Sequence, residues 1–211
     1  MRCRIVLLLM VLCVFGASQA QATWQRLDTL IYEGKEYPIF NTMMSDYFVK
    51  YPDRNPNDES EGRCSGSWRG YEAEFEVSDN LIYLKDIFSK PCSLRTSALM
   101  KVNPDGKKLL VDWYSGFLIS VGGENTSDLY SNEFLDSFER YAFFEVKAGK
   151  IGQVRQFDNK GYLKFKKLQF EGFKKTERYE ELVKRFGNKP RESADSGIYW
   201  SFLFDMDRFY F

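Results

Sequence analysis

Alternation of apolar and polar side chains predicts short antiparallel strands joined by tight turns. The clearest example is residues 71 to 77, in which four apolar side chains alternate with three glutamates. One side of this strand is expected to be buried and the other to face water, as in an antiparallel sheet with one solvated face. Asp79-Asn80 then predicts a turn into a second strand from 81 to 87.

The same arrangement of two strands around a short turn recurs along the chain. Because nearly all of the roughly nine predicted strands are joined by hairpins, there is no room for the crossover helices of a parallel sheet. The pattern therefore predicts a mostly β fold, a meandering antiparallel sheet curled as a barrel or a sandwich. The further predicted strands are 28 to 32 with 36 to 40, 109 to 113 with 117 to 121, 141 to 147 with 151 to 157, and 162 to 165.

Two peripheral helices are predicted from apolar side chains at helical spacing. The first covers residues 42 to 51, with Asn41 as its N-cap and Pro52 at its end. The second covers residues 176 to 186, with Thr176 as its cap.

The first 22 residues have the pattern of a secretory signal peptide. A basic start precedes an apolar run over residues 5 to 15, and Ala20-Gln21-Ala22 offers cleavage after Ala20 or after Ala22. The apolar run is about half of the roughly 20 residues that a membrane span requires. We therefore expect residues 23 to 211 to form a single β-rich domain that is periplasmic or secreted and does not span a membrane.

Composition excludes several kinds of site. The chain has 30 basic and 30 acidic residues and no histidine, which excludes Ser-His-Asp and Cys-His catalysis and histidine-bound metals. The balanced charge of an exported chain also argues against a nucleic-acid partner. No cofactor is predicted.

Two cysteines, Cys64 and Cys92, remain after the predicted cleavage. Two cysteines in an exported chain most often pair, so we predict a structural disulfide. The alternative is a catalytic thiol, which would lack the histidine that usually activates it.

Charge is unevenly distributed along the chain. Residues 160 to 191 hold 11 basic and 4 acidic residues, whereas residues 23 to 159 hold 16 basic and 22 acidic ones. This asymmetry would steer an anionic partner, such as a lipid headgroup, an acidic glycan or an acidic protein. The alternative is that the two regions complement each other within one fold.

Several sequence motifs resemble a family of uncharacterised bacterial proteins. The matching motifs lie within residues 28 to 157. The resemblance implies a bacterial protein with a common β-rich fold, but no activity, because the family has none established. Members often carry a His-Met-Gly-Tyr-like stretch after the second hairpin, whereas residues 125 to 141 here contain no histidine. The motifs are Gly34-Lys35-Glu36-Tyr37, Trp68-Arg69-Gly70-Tyr71, residues 80 to 87, Asp112-Trp113-Tyr114-Ser115-Gly116 and residues 141 to 149.

Two of these motifs supply the candidate binding residues. Trp68, Arg69 and Tyr71 suggest a patch in which a guanidinium stacks on an aromatic ring. The competing interpretation is that Trp68 packs into the core while a glycine beside it permits close backbone approach. Asp112 and Trp113 place a carboxylate next to a large aromatic side chain, which would raise the carboxyl pKa if it were desolvated.

A calcium loop is a weaker hypothesis. Asp53, Asn55 and Asn57 have the spacing of the first EF-hand ligands, but Asp58 stands where that loop needs glycine and Cys64 where it needs glutamate. A solvated polar loop is the better interpretation, so no metal site is predicted.

Two classes of function remain. The leading hypothesis is a non-enzymatic binding or interaction module for a protein, a glycan or a small apolar ligand, and no catalytic residue is assigned. The alternative is a periplasmic hydrolase in which Asp112 and one of Glu72, Glu74 or Glu76 act as acid and base. A Ser-Lys dyad stays open, although no serine lies in a recognisable nucleophile motif.

Overall fold

The structure, a computed structural model, describes residues 25–57, 64–90, 92–127 and 136–186, together with Ile198 and Phe202. The predicted signal peptide lies outside the described residues and stays a prediction. A sheet of nine strands dominates the described part of the chain, which confirms the mostly β prediction. The strands are β1 (Asp28–Tyr32), β2 (Lys35–Ile39), β3 (Tyr71–Ser78), β4 (Leu81–Ser89), β5 (Thr96–Ser97), β6 (Leu109–Leu110), β7 (Gly116–Asn125), β8 (Phe138–Lys147) and β9 (Lys150–Asp158). The helices are α1 (Met44–Lys50), α2 (Leu99–Val102), α3 (Asn159–Phe173) and α4 (Glu177–Phe186), and a 3-10 turn spans Pro52–Arg54.

The sheet closes on itself. Its strands run in the order β3-β1-β2-β7-β8-β9-β4, and pairing of β3 with β4 completes the ring. One strand pair differs from the antiparallel prediction, because β1 and β3 are parallel, with Leu30 opposite Phe75. The chain between them passes through β2, α1 and a loop, which gives the long connection that parallel neighbours require.

At two places in the ring, which we call seams, neighbouring strands share a single described residue pair. In the described register, β2 pairs with β7 through Ile39 and Ser120, and β4 pairs with β9 through Leu81 and Lys150. Pro38 lies next to the first seam and has no amide N–H to donate to a neighbouring strand. The fold is therefore one sheet curled into a ring, and its pairing is short at two places.

Three hairpins form as predicted around two-residue turns. The turns are Glu33-Gly34, Asp79-Asn80 and Ala148-Gly149, and both residues of each have positive φ. This is the type I′ turn, whose twist matches that of the flanking strands. Local backbone preference therefore sets the register of β1–β2, β3–β4 and β8–β9.

The predicted hairpin between residues 109 to 113 and 117 to 121 is wrong. β6 pairs with β4, with Leu110 opposite Tyr83, whereas β7 pairs with β8. The intervening chain turns away, because Tyr114 N donates to Val111 O at 3.3 Å and Trp113 Nε1 donates to Met43 O at 2.8 Å. Contacts distant in sequence thus separate two strands that are neighbours along the chain.

The predicted strand from 162 to 165 is also wrong, because these residues lie within α3. Asp158 caps this helix by accepting a hydrogen bond from Gly161 N at 2.7 Å. Two of the four buried side chains on its inner face are polar, which hides the helical pattern from a count of apolar residues. The four are Tyr162, Lys166, Gln169 and Phe173.

Both predicted helices form. α4 begins after Thr176, whose Oγ1 accepts a hydrogen bond from Tyr179 N at 3.2 Å, as expected of its cap. α1 is confirmed with Pro52 just beyond it, but Asn41 is not its cap. The Asn41 side chain instead accepts a hydrogen bond from Ile119 N at 2.8 Å and so ties the start of this segment to β7. The short α2 and the longer α3 are additional helices.

Apolar side chains fill the inside of the ring, and α1 packs into the same core. This core contains Leu30, Phe75, Ile82, Leu118 and Phe144 from the strands. It also contains residues of α1 and the segment before it, namely Met43, Met44, Tyr47 and Phe48. α1 is therefore fixed beside the entrance of β3, where the candidate binding motif lies.

Candidate functional site

The loop before β3 is fixed by a disulfide and by backbone hydrogen bonds. Cys64 and Cys92 are bonded, with their Cα atoms 6.3 Å apart, which confirms the predicted pairing. Within the loop, Ser67 N donates to Cys64 O at 3.0 Å and Gly70 N donates to Ser67 O at 3.2 Å. The backbone of residues 64 to 70 thus forms consecutive turns, one end of which is covalently anchored.

Trp68 lies at the tip of this loop with its side chain in solvent. The residue is 70% exposed, so the interpretation that it packs into the core is wrong. Its backbone is held, because Trp68 N donates to Gln25 Oε1 at 3.1 Å and Gln25 Nε2 donates to Ser65 O at 2.7 Å. The loop thus presents a large aromatic side chain on a constrained backbone.

Gly70 permits the close approach that the motif predicts. Its φ is +71°, and a Cβ placed on it would overlap the side chain of Asn57. Glycine therefore allows residues 55 to 57 to pack directly against the loop that carries Trp68.

Arg69 is held by a buried ion pair. Its Nη1 lies 2.8 Å from Oδ2 of Asp28, and its Nη2 donates to Arg26 O at 2.9 Å. Asp28 is fully buried, and its Oδ1 accepts a hydrogen bond from Ala73 N at 2.9 Å. Burial raises the pKa of the Asp28 carboxyl, and Arg69 and the Ala73 amide offset part of that rise.

Tyr71 forms the inner wall of the site. It is buried, its ring lies 5.1 Å from Cζ of Arg69, and it meets Phe48 edge-on at 5.3 Å between centroids. Burial is the main cause that raises the pKa of its hydroxyl, and the charge of Asp28 adds to it. The predicted guanidinium-on-aromatic contact is therefore present, but it lies below the surface.

An open groove of about 360 Å³ brings these residues together with α1 and the segment that follows it. The groove combines apolar side chains with amide and hydroxyl groups that can donate and accept hydrogen bonds. Val49 is 83% exposed and forms the outer rim opposite the core. The lining residues are Ser45, Phe48, Val49, Asn55, Asn57, Trp68, Arg69 and Tyr71.

The sequence did not identify the residues that α1 and residues 55 to 57 contribute to the groove. Phe48 and Val49 belong to a predicted helix, but their position beside Trp68 depends on the tertiary fold. Residue spacing in this loop suggests a calcium site, yet the Asn55 side chain accepts a hydrogen bond from Asn57 N at 2.9 Å and so forms a local turn. Among the described residues, no group of three or more His, Cys, Asp or Glu side chains is arranged to hold a metal ion.

Asp112 and Trp113 lie in the turn between β6 and β7 and do not line this groove. Asp112 is exposed, so the desolvation that the hydrolase hypothesis requires is not present. Trp113 is half-buried and packs on Tyr47 at 4.6 Å between ring centroids. Together with its hydrogen bond to Met43 O, this contact supports α1 from the core side.

The glutamates of β3 form part of a surface charge network. Arg95 lies 3.3 Å from Glu72 and 2.6 Å from Glu74, and Arg26 and Lys85 add ion pairs at 3.5 and 3.8 Å. Glu76 is exposed on the same side of the strand. The alternation of these acids is thus explained by a solvated sheet face with compensating cations.

A second cavity, of about 700 Å³, opens at the seam between β2 and β7. Two basic and two acidic side chains line it, so its charge favours neither anions nor cations. These four are Lys35, Glu36, Arg140 and Asp158.

No protein-family model, curated protein or solved structure that was compared with the chain matches it. Within the described residues, no helix is both long enough and apolar enough to cross a membrane.

Proposed function

We propose that this chain is an exported, non-enzymatic binding module whose ligand is a glycan bound in the groove beside Trp68. The observation that carries the proposal is an indole that is 70% exposed on a loop held by a disulfide, by Gln25 and by backbone turns. Tryptophan is enriched at recognition sites because its ring offers a large apolar surface together with an N–H donor. A rigid backbone lowers the entropy that binding would cost.

The chemistry of the groove favours a sugar. An indole face packs against the C–H face of a pyranose ring, while hydroxyl groups require nearby donors and acceptors. Asn55, Asn57 and Ser45 supply such groups along one wall, and the exposed Val49 supplies apolar surface at the rim. Buried side chains occupy the inside of the ring, which makes a small apolar ligand there a weaker alternative.

Trp68 is the residue to substitute in a test, because Arg69 is tied to a buried carboxylate. Replacing an exposed side chain such as that of Trp68 changes the free energy of unfolding by less than about 0.5 kcal/mol. Leu94, which is 77% exposed, provides a matched control outside the groove. Both variants, Trp68→Ala and Leu94→Ala, should therefore remain folded.

The experiment is a titration of the purified protein with a panel of soluble neutral, N-acetylated and acidic oligosaccharides, observed by NMR of the four indole N–H groups. A bound sugar should shift the Trp68 resonance. Trp68→Ala should weaken binding by about 30-fold or more, the effect of losing a central aromatic contact. Leu94→Ala should bind as the wild type does. Absence of binding across the panel, or equal binding by Trp68→Ala, would overturn the proposal.

A further inference from the structure

The outward face of α3 carries a stripe of lysines. Lys160, Lys164 and Lys167 are exposed along the helix, and Lys174 and Lys175 continue the stripe just beyond its end. The three lysines within the helix lie in a narrow arc on the side opposite the buried face that packs on the sheet. At 1.5 Å per residue, these three span about 10 Å along the helix axis.

Acidic residues do not balance this stripe. Glu171 is the one acid in α3, and its carboxylate lies 2.7 Å from Lys174 Nζ. The next helix differs, because α4 holds three acids and three basic residues, and Arg178 pairs with Glu181 at 3.3 Å. The positive charge seen in the sequence between residues 160 and 191 is thus concentrated, within the described residues, on one face of one helix.

Two exposed leucines flank the stripe. Leu163 is 41% exposed and Leu168 is 59% exposed, one on each margin of the lysine arc. Exposed leucines at single positions are ordinary, but here they border five cations on the outward side of one helix. Neither of the two cavities described above is lined by α3, whereas a small molecule would bind in a cleft.

We propose that the outward face of α3 docks peripherally on a lipid bilayer that contains anionic phospholipids. The lysines would contact the headgroups, and the side chains of Leu163 and Leu168 would enter the boundary between headgroups and acyl chains. A soluble acidic polysaccharide or an acidic protein would satisfy the lysines, but a polysaccharide offers no apolar phase for the leucines. The proposal is independent of the glycan groove.

The test is flotation of the purified protein with phosphatidylcholine vesicles that contain either no anionic lipid or about 30% phosphatidylglycerol. The wild type should float with the anionic vesicles and stay behind with the neutral ones. Raising the salt concentration from about 0.1 M to about 0.5 M should release it, because the Debye length shortens. Flotation with neutral vesicles to the same extent would overturn the proposal.

Two triple variants distinguish an effect of the position of the lysines on vesicle binding from an effect of net charge. Lys160→Gln/Lys164→Gln/Lys167→Gln should lower the affinity for anionic vesicles roughly 100-fold, since each lysine near the surface contributes about 1 kcal/mol. The control variant removes the same charge from other exposed positions and should lower it less than about threefold. Equal losses in the two variants, or retained affinity in the first, would contradict docking through α3. The control substitutions are Lys101→Gln, Lys107→Gln and Lys147→Gln.

A leucine variant distinguishes a bilayer from another polyanion. Leu163→Ser/Leu168→Ser should weaken vesicle binding about tenfold, because apolar area is no longer buried. Trp68→Ala should bind vesicles as the wild type does. If the leucine variant binds normally and soluble alginate displaces the protein from vesicles, the partner is an acidic polysaccharide and the proposal is wrong. Circular dichroism of each variant verifies that it is folded.

Discussion

Removal of the Arg69 side chain should strongly destabilise this protein, because Arg69 is the partner of a buried carboxylate. Arg69→Ala leaves the carboxylate of Asp28, which is fully buried, without the guanidinium that lies 2.8 Å away. Within the described residues, only the hydrogen bond from Ala73 N would remain to that carboxylate. Breaking a buried ion pair by removing one partner costs about 3–5 kcal/mol of the free energy of unfolding.

The cost should depend on pH. Because burial raises the pKa of Asp28 in the folded state above its unfolded value of about 4, the folded chain binds more protons between these two values. Stability contributed by this group is therefore highest below the unfolded pKa and falls as the pH rises through the folded pKa. Loss of Arg69 raises the folded pKa further, so Arg69→Ala should be more damaging near about pH 7 than near about pH 4.

Urea unfolding followed by circular dichroism, with the disulfide intact, measures this effect. The free energy of unfolding of Arg69→Ala should be lower than that of the wild type by about 3–5 kcal/mol near neutral pH. Near about pH 4 it should be lower by about 1–2 kcal/mol, because the contacts to Tyr71 and Arg26 are lost. Arg95→Ala is the control, because Arg95 is 40% exposed in its ion pairs and should cost less than about 1 kcal/mol. A cost below about 1 kcal/mol near neutral pH, or one that does not change with pH, would refute the reasoning.

Three further perturbations test the fold by the same measurement of unfolding free energy. Gly34→Ala and Gly149→Ala both place a side chain at φ +73°, which costs about 1–2 kcal/mol. Only Gly149→Ala places its Cβ against a backbone carbonyl of the chain after β6, so it should lower the free energy of unfolding clearly more than Gly34→Ala does. Equal decreases in the two variants would contradict this packing. Asp158→Ala should cost about 1 kcal/mol through loss of the α3 cap, whereas an unchanged midpoint would show that the cap contributes nothing. Replacing Cys64 and Cys92 by serine should cost about 2–4 kcal/mol, and reducing agent should then have no further effect on the variant.

Local preferences explain which hairpins could be predicted from the sequence. Glu33-Gly34, Asp79-Asn80 and Ala148-Gly149 each interrupt an alternating pattern, and each adopts the turn type that pairs the flanking strands directly. In such a hairpin the partners are neighbours along the chain. Sequence pattern and turn chemistry together therefore suffice to pair these strands.

The two wrong strand assignments share one physical cause. The local pattern predicts a strand at residues 162 to 165 and not α3, because the buried face of the helix includes Lys166 and Gln169. The Lys166 ammonium can be buried because it lies 2.6 Å from a carboxylate oxygen of Asp136, 30 residues away. The strand around Leu109 was paired with the wrong partner because β4, not β7, lies beside it. In both cases a contact distant in sequence outweighs the local pattern.

The candidate groove could be predicted only in part. The Trp68 motif pointed to the correct place, and the chemistry of Gly70 was anticipated. Neither the exposure of Trp68 nor the burial of its neighbour Arg69 against Asp28 could be predicted, because Asp28 is 41 residues away in the sequence. The motif therefore divides into one residue that faces solvent and two that stabilise the fold.

The sequence by itself determined the strand-rich class, three hairpins, two helices and the pairing of Cys64 with Cys92. These follow from the spacing of apolar side chains, the residues in the turns and the number of cysteines. Each of these can be interpreted without knowing how distant segments are arranged in space. Only the tertiary structure decided how the sheet closes into a ring, which helix covers β8 and β9, and which side chains meet in the groove. Those features depend on burial between distant segments, which no local pattern along the chain encodes.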